Sequence, residues 1–456
     1  MKQTAFLTIL LMLAACSPTE DGAPEQNNAT PKNQVSQNEI WISGWKETSS
    51  LNIARAGAAM VTHNNFVYMI AGVDGRDFLR STEYAPILPD GSIGDWKMGP
   101  QLIEDRGFTE AVVKNGYIYV VGGGNGPNGQ RLLTTVERAK VNPDGSLGAW
   151  HQEDNRTVLP RRCTKLSLIG DYLYSFGGYG GTLLDSVEYA KIEADGSVGQ
   201  WRIASEAMTL PRYVNSVKTV GGFAFVLGGH DQDKGVGIVD VEWAKPQADG
   251  DIHSWQKTSP LKTGRYGVAS AKHDKTIYML GGLTGLEYLG SIEKSQVLPE
   301  GGLAEWQETT AMSVPRATFS AFTNNGYIYV LGGANRDGYL RSVEYAEINA
   351  QGDLGFMGSS QEREQYLQYV KDKQDNAPVL PNEGVVKQIL HAEMYSYVQV
   401  LNQGKLVWIA GPKTAALSIN STIQYSKGVY MSNFFSKELQ KAFPEVTFVS
   451  RIEIVK

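Results

Sequence analysis

Cysteine is nearly missing from this 456-residue chain: Cys16 and Cys163 are the only two. That is too few for a disulfide framework, a four-cysteine metal site or a haem attachment motif. Histidine is scarce too. The six are scattered, and the sequence His230-Asp231 with Asp233 has no second histidine at ligand spacing, so no metal and no cofactor are expected. Basic residues do not outnumber acidic ones; 42 Lys and Arg against 48 Asp and Glu give a net charge of −6. A nucleic-acid partner, which needs a basic face, is therefore not expected. Beyond the first residues there is no apolar run long enough to span a bilayer as a helix. What the chain has in quantity is glycine (50) and tyrosine (22), the composition of a turn-rich β protein.

Residues 1–15 read as a targeting segment. Lys2 is followed by the short apolar run Ala5 to Leu13 and then by Leu13-Ala14-Ala15-Cys16. This ending resembles the lipobox of bacterial lipoproteins, and the resemblance implies acylation of Cys16 as the new N-terminus. Ser17 rather than Asp follows, which implies the outer membrane, facing the periplasm, with the cell surface as the other possible side. Residues 16–39 are rich in Pro, Asn, Gln and Glu and poor in large apolar groups, so a flexible tether is expected. Membrane contact is expected through the lipid only.

Residues 40–357 repeat. Tryptophans at 45, 96, 150, 201, 255 and 306 are spaced by 51, 54, 51, 54 and 51 residues. Glu83, Glu137, Glu188, Glu242, Glu293 and Glu344 keep the same beat, as do Gly-Gly pairs, with Ala71-Gly72 in the first copy. Each copy reads as four short strands with an Asp-Gly or similar turn between the third and fourth, such as Asp90-Gly91-Ser92 before a fourth strand at Ile93-Gly94-Asp95-Trp96. Six such units bury their faces only by closing into a ring. Leu354 to Met357 lacks the tryptophan, so Ile42 to Trp45 is expected to pair into the last blade. The strand ending in Gly-Gly, the spaced Glu-Tyr and the tryptophan resemble the kelch motif. The resemblance implies an all-β, six-bladed kelch-type β-propeller, a fold that hosts enzymes, carbohydrate binders and protein adaptors. The ligand set of a galactose-oxidase-like copper enzyme and the catalytic pattern of sialate mutarotases find no counterpart at these positions.

The turns between strands three and four are monotonous, whereas the loops after Gly-Gly vary, which places the binding face on the second set. Arg55, Arg106, Arg162, Arg212, Arg265 and Arg316 follow their tryptophans by ten to twelve residues. They read either as a cationic ring for anionic ligands or as structural partners of the repeated glutamates, tying neighbouring blades. The varied loops add Tyr179, His230, Asp231, Asn335 and Arg336, alongside Asp74, Arg76, Asp77, Asn125, Asn128, Glu287 and Tyr288. Cys163 reads as a buried, inert thiol.

After Met357 the rhythm stops. Residues 358–383 read as a helix, with Tyr366, Tyr369 and Val370 on one face, and then a linker. Residues 384–456 read as a small β-rich domain. Tyr397-Val398-Gln399-Val400, Trp408-Ile409-Ala410 and the run Met431, Phe434, Ser436, Lys437, Leu439 resemble small periplasmic domains encoded beside nitrite-reduction and cytochrome c maturation proteins. That resemblance implies an OB-like barrel in which Tyr395, Trp408 and Met431 either pack in the core or hold a ligand. The leading expectation for the whole chain is a membrane-anchored binding or scaffold protein for a protein or glycan, with no catalytic residues assigned. The rival is an enzyme acting on an acidic sugar, mutarotase- or sialate-epimerase-like, on the same face.

Overall fold

In a computed structural model the described residues are 39–231, 235–285, 287–375, 380–392, 395–412, 417–426, 428–436, 438–449 and 451–455. The expected leader, the Cys16 acylation site and the tether as far as residue 38 lie outside them, as does Asp233. From Ile40 onward the chain forms one compact unit.

Six antiparallel sheets follow one another, beginning with Ala59–His63, Glu110–Lys114, Lys165–Ile169, Ser216–Val220, Ala269–His273 and Ser320–Asn324. These innermost strands touch in a closed cycle, the sixth returning to the first. The protein carries a six-bladed β-propeller. The second strands, such as Tyr117–Val121 and Tyr327–Leu331, are apolar nearly throughout and buried at four of five positions, because a blade packs a neighbour on both faces. The fourth strands start later than the sequence pattern suggests. Ile93 makes only an isolated bridge to Ile87, and the paired residues are Lys97–Met98, just past the tryptophan. Ile93 and Trp96 instead bury their side chains between blades.

Closure uses the start of the chain. Ile40–Ile42 pairs with Gly358–Phe356, and Lys46–Thr48 pairs with Tyr345–Val343, the register that Lys97 and Met98 hold against Tyr84 and Glu83 in the first blade. Trp45 fills the tryptophan position of the last blade within its hydrophobic cluster. The helix Ser360–Asp375 covers this seam. The Tyr366 hydroxyl accepts a bond from the Trp45 N–H at 3.2 Å, and Tyr369 donates to Glu47.

A second contact repeats between blades. Second-strand tyrosines donate to a turn glycine carbonyl of the next blade: Tyr68 to Gly145, Tyr119 to Gly196, Tyr174 to Gly250, Tyr278 to Gly352 and Tyr329 to Gly91. Burial pushes the Tyr119 phenol up to about 12. Phe225 stands at this place in the fourth blade, where Trp243 packs over Gly301 instead.

The third contact is an ion pair sealed inside every blade. Arg55–Glu83, Arg106–Glu137, Arg161–Glu188, Arg212–Glu242 and Arg265–Glu293 meet at 2.5–2.8 Å, and Arg316–Glu344 completes the set. All six guanidinium groups are fully buried. Each also donates to the carbonyl sixteen residues on, at the first position of the Gly-Gly pair or, in blade one, of Ala71-Gly72. The glutamates accept backbone N–H groups of the incoming loop, such as Asn52 on Glu83 and Val158 on Glu188, both at 2.7 Å. The repeated arginines thus pair with the repeated glutamates, but each pair lies within one blade and does not tie neighbouring blades as expected. Arg55, Arg106, Arg212, Arg265 and Arg316 offer no surface to a ligand, so the cationic ring does not exist as a face. In blade three the buried arginine is Arg161, not Arg162.

The C-terminal β region is one seven-stranded sheet. Its hydrogen-bonded order runs Gly428–Ser436, Lys441–Val449, Lys405–Pro412, Tyr395–Asn402, Asn382–His391, Thr422–Tyr425 and Ile452–Ile454. Two of its neighbours, Lys405–Pro412 and Lys441–Val449, are parallel. Side chains alternate between two apolar clusters. Val398, Val400 and Ile409 enter one; Tyr397, Ala410 and Phe443 enter the other. The run from Met431 to Ser436 is itself strand.

Two outcomes test this architecture. Removing residues through Thr48 exposes one edge of the last blade and deletes Trp45, costing at least about 3 kcal/mol; an unchanged cooperative thermal melt contradicts the closure. Arg161→Met strands a buried carboxylate and costs about 3–5 kcal/mol, whereas Arg162→Ala stays within about 1 kcal/mol. Denaturant unfolding of the two variants distinguishes them.

Candidate functional site

The residue after each buried arginine lies on the variable face and bridges to the loop after Gly-Gly, as in Arg162↔Tyr179 and Tyr266↔Leu283. Around the ring these residues are Ala56, Gly107, Arg162, Tyr213, Tyr266 and Ala317. One half of the face is therefore lined by minimal side chains and the other by a cation and two phenols.

On blades three to five these residues join the loop residues into a continuous ledge. The Arg162 guanidinium lies 5.2 Å over the Tyr179 ring and donates to the Gly129 carbonyl at 3.1 Å. Tyr179 lies 6.2 Å from Tyr213, Tyr213 5.2 Å from His230, and His230 4.6 Å from Tyr266, the last two contacts edge-on. All five side chains are half-buried, so each keeps ring surface for a partner while its position is held by packing. The Tyr266 hydroxyl donates to Gly285, and burial raises the phenols of Tyr213 and Tyr266 above the usual range. Tyr395 of the C-terminal sheet flanks this ledge: its hydroxyl is 4.0 Å from where a Cβ on Gly235 would lie, and its proximity adds to the rise at Tyr266.

The sequence reading found Arg162, Tyr179 and His230 here but missed Tyr213 and Tyr266. Counting back sixteen residues from the first Gly of each pair locates the buried arginine, and the next residue is the ledge position. Of the remaining loop candidates, Asp231 pairs through its backbone with Val236 beside His230, Tyr288 lies close enough to Tyr266 to raise its phenol further, and others are engaged in turns. The Asp74 carboxylate accepts the N–H groups of Arg76 and Asp77, which lower its pKa; Asn335 accepts the N–H of Asp337, and Arg336 is exposed. Asn125 donates to the Asp105 carbonyl. In the C-terminal sheet Trp408 packs edge-on to Phe443 at 5.1 Å and Tyr395 edge-on to Phe448 at 5.8 Å, while Met431 is exposed. The structure does not bring those three together as one ligand set.

One residue further along, the chain enters the channel through a collar. Gly57, Phe108, Cys163, Val214, Gly267 and Thr318 all have φ between 47° and 62°. That conformation is strained for β-branched Val214 and Thr318. Backbone bonds of 2.6–2.8 Å link Gly57 to Thr318, Phe108 to Gly57, Cys163 to Phe108, Gly267 to Val214 and Thr318 to Gly267. Among the described residues only the junction between Cys163 and Val214 lacks one. The collar rims a small depression of about 40 Å³. Burial pushes the Cys163 thiol up to about 11, which makes it a poor nucleophile.

Comparison with known proteins adds the family of the repeat. The Kelch motif profile matches residues 105–138, the span from the loop before Arg106 to the third strand of blade two. Kelch-like protein 26 of Danio rerio is 26% identical over 253 residues, covering 54% of this chain and 38% of that protein. Alpha-scruin of Limulus polyphemus is 27% identical over 162 residues, covering 33% of this chain and 16% of the relative. The chain thus spans well under half the length of these relatives. The structure of YjhT aligns with a TM-score of 0.55 at 14% identity, covering 68% of this chain and 99% of that one, a likeness of fold. Repeat, ring and relatives agree: residues from Ile40 to Gly358 form a six-bladed β-propeller of kelch repeats.

Proposed function

We propose that the protein is a membrane-anchored, periplasm-facing binding scaffold whose variable propeller face docks a partner protein. The observation that carries this reading is the asymmetry at the position after the buried arginine: Arg162, Tyr213 and Tyr266 on three adjacent blades, against Ala56, Gly107 and Ala317 on the others. Arginine and tyrosine on a rigid scaffold, half-buried and contiguous, are the side chains that dominate protein interfaces. Kelch propellers typically serve as protein-binding scaffolds, and the similarity to kelch-like proteins supports the same use here. The anchor rests on the lipobox-like segment ending at Cys16, and the tether supplies reach. Tyr395 beside the ledge supports a second contact from the C-terminal domain. A sugar-acid enzyme on this face would need free arginines converging on a carboxylate, and five of the six are consumed by glutamates.

The test is capture from membranes by the full chain. A protein retained by the parent and by a turn-face variant such as Asp144→Ala, and weakened at least about tenfold by Tyr213→Ala with Tyr266→Ala, supports the reading. A glycan-array signal lost in the same double variant, with no protein recovered, overturns it.

A further inference from the structure

Beneath the collar the channel is polar, and its charges do not balance. Its wall is formed by the innermost strands of all six blades and includes Met60, Glu110, Lys165, Ser216, Lys218 and Ser270. Lys165 is neutralised by Glu110 at 2.5 Å. Lys272, from the adjoining strand, donates to the Thr219 carbonyl at 2.9 Å. Lys218 makes no hydrogen bond or ion pair with any described residue, although it lines the channel. Burial pulls its pKa down to about 8, Glu110 opposes that shift, and Lys165 and Lys272 reinforce it. The half-buried Lys218 and Lys165 thus share one carboxylate in the channel, while Lys272 is exposed and adds its charge from outside. An uncompensated cation in such a place is costly unless an anion joins it.

A second, independent feature lies on the same strand lead. Asn215 is fully buried and lines the depression above, and neither its Oδ1 nor its Nδ2 has a hydrogen-bond partner. Thr109 and Thr164, at the matching positions of blades two and three, bond to their own blades. Buried amides left unpaired are rare and call for a ligand or water. Asn215 and Lys218 both follow Val214, the residue at which the collar lacks its backbone bond. One blade therefore supplies an open junction, an unpaired amide at the mouth and an unpaired ammonium about 10 Å deeper along the strand.

We propose that the central channel is a binding site for a small oxyanion of the carboxylate or phosphate class, held by the Lys218 ammonium and admitted past Asn215 at the junction of blades three and four. The hydroxyls of Ser216 and Ser270, which also line the channel, bond to each other at 2.6 Å and leave one proton of the pair to donate to a ligand. Glu110 works against a second negative charge and restricts the site to small ligands of low charge. This site is separate from the aromatic ledge and does not rest on the docking reading.

Isothermal titration calorimetry of the full chain with sodium phosphate, and separately with sodium acetate, at constant ionic strength set by sodium chloride, tests the site. Saturable binding of one equivalent of either anion is expected; the tighter of the two identifies the class. Lys218→Met should weaken it at least tenfold, Lys218→Arg should retain it, and Glu110→Gln, which releases Lys165, should tighten it severalfold. No saturable binding by the parent overturns the proposal, as does a Lys218→Met variant that binds within twofold of the parent. Should Lys218→Met fail to fold, the Lys218→Arg and Glu110→Gln pair decides: affinity unmoved by Glu110→Gln overturns the assignment.

Discussion

A guanidinium buried without water must find several acceptors at once, and this requirement organises every blade. The arginine reaches the carbonyl at the end of the second strand, a carbonyl at the start of the third, and the glutamate on the third. Its own backbone lies against the preceding blade: the Arg55 N–H donates to the carbonyl of Leu340, and its carbonyl accepts the N–H of Gly333. One residue therefore joins two blades. Because the glutamate also takes loop N–H groups, both charges are satisfied by fixed dipoles, the condition under which a buried pair is tolerated. The first Gly of each pair follows from the same geometry: a Cβ on Gly122 would stand 2.8 Å from the Arg161 carbonyl.

Once six such keys are in place, the residues beside them are free to differ. The ledge position follows the buried arginine immediately, so its backbone is held by the most constrained element of the blade while its side chain projects onto the variable face. Large amphipathic groups there lose little conformational entropy on binding, since the rings already pack on one another. The collar lies one residue further in, where the φ > 0 strain of Val214 and Thr318 is offset by bonds passed from blade to blade. Rim, ledge and channel are thus consecutive residues of one rigid turn. The C-terminal region adds asymmetry from outside: the helix Ser360–Asp375 clamps the seam through Tyr366 and Tyr369, and Tyr395 reaches the ledge.

Much of this was legible in the residues alone. The tryptophan spacing announces six units, and the missing tryptophan after Leu354 announces that Trp45 closes the ring. The pairing of arginine with glutamate was one of two readings open from their shared period. Other features were not legible for a physical reason. Arg161 and Arg162 are adjacent and chemically identical, and only burial and hydrogen-bond partners separate the fully buried structural one from the half-buried ledge residue. Fourth strands of two residues, such as Lys97–Met98, carry no hydrophobic alternation because their side chains face solvent. The strand Gly428–Ser436 reads ambiguously because Tyr430, Met431 and Phe435 are apolar yet exposed.

The sequence by itself determined the repeat, the number of blades and the way the ring closes, because these follow from periodic burial that every copy must satisfy. Tertiary structure alone decided which side chains meet across blades: Tyr179 with Tyr213, His230 with Tyr266, Lys218 left without a counter-ion. The two ring contacts join residues 34 and 36 positions apart through the curvature of the ring, and no local pattern encodes that curvature.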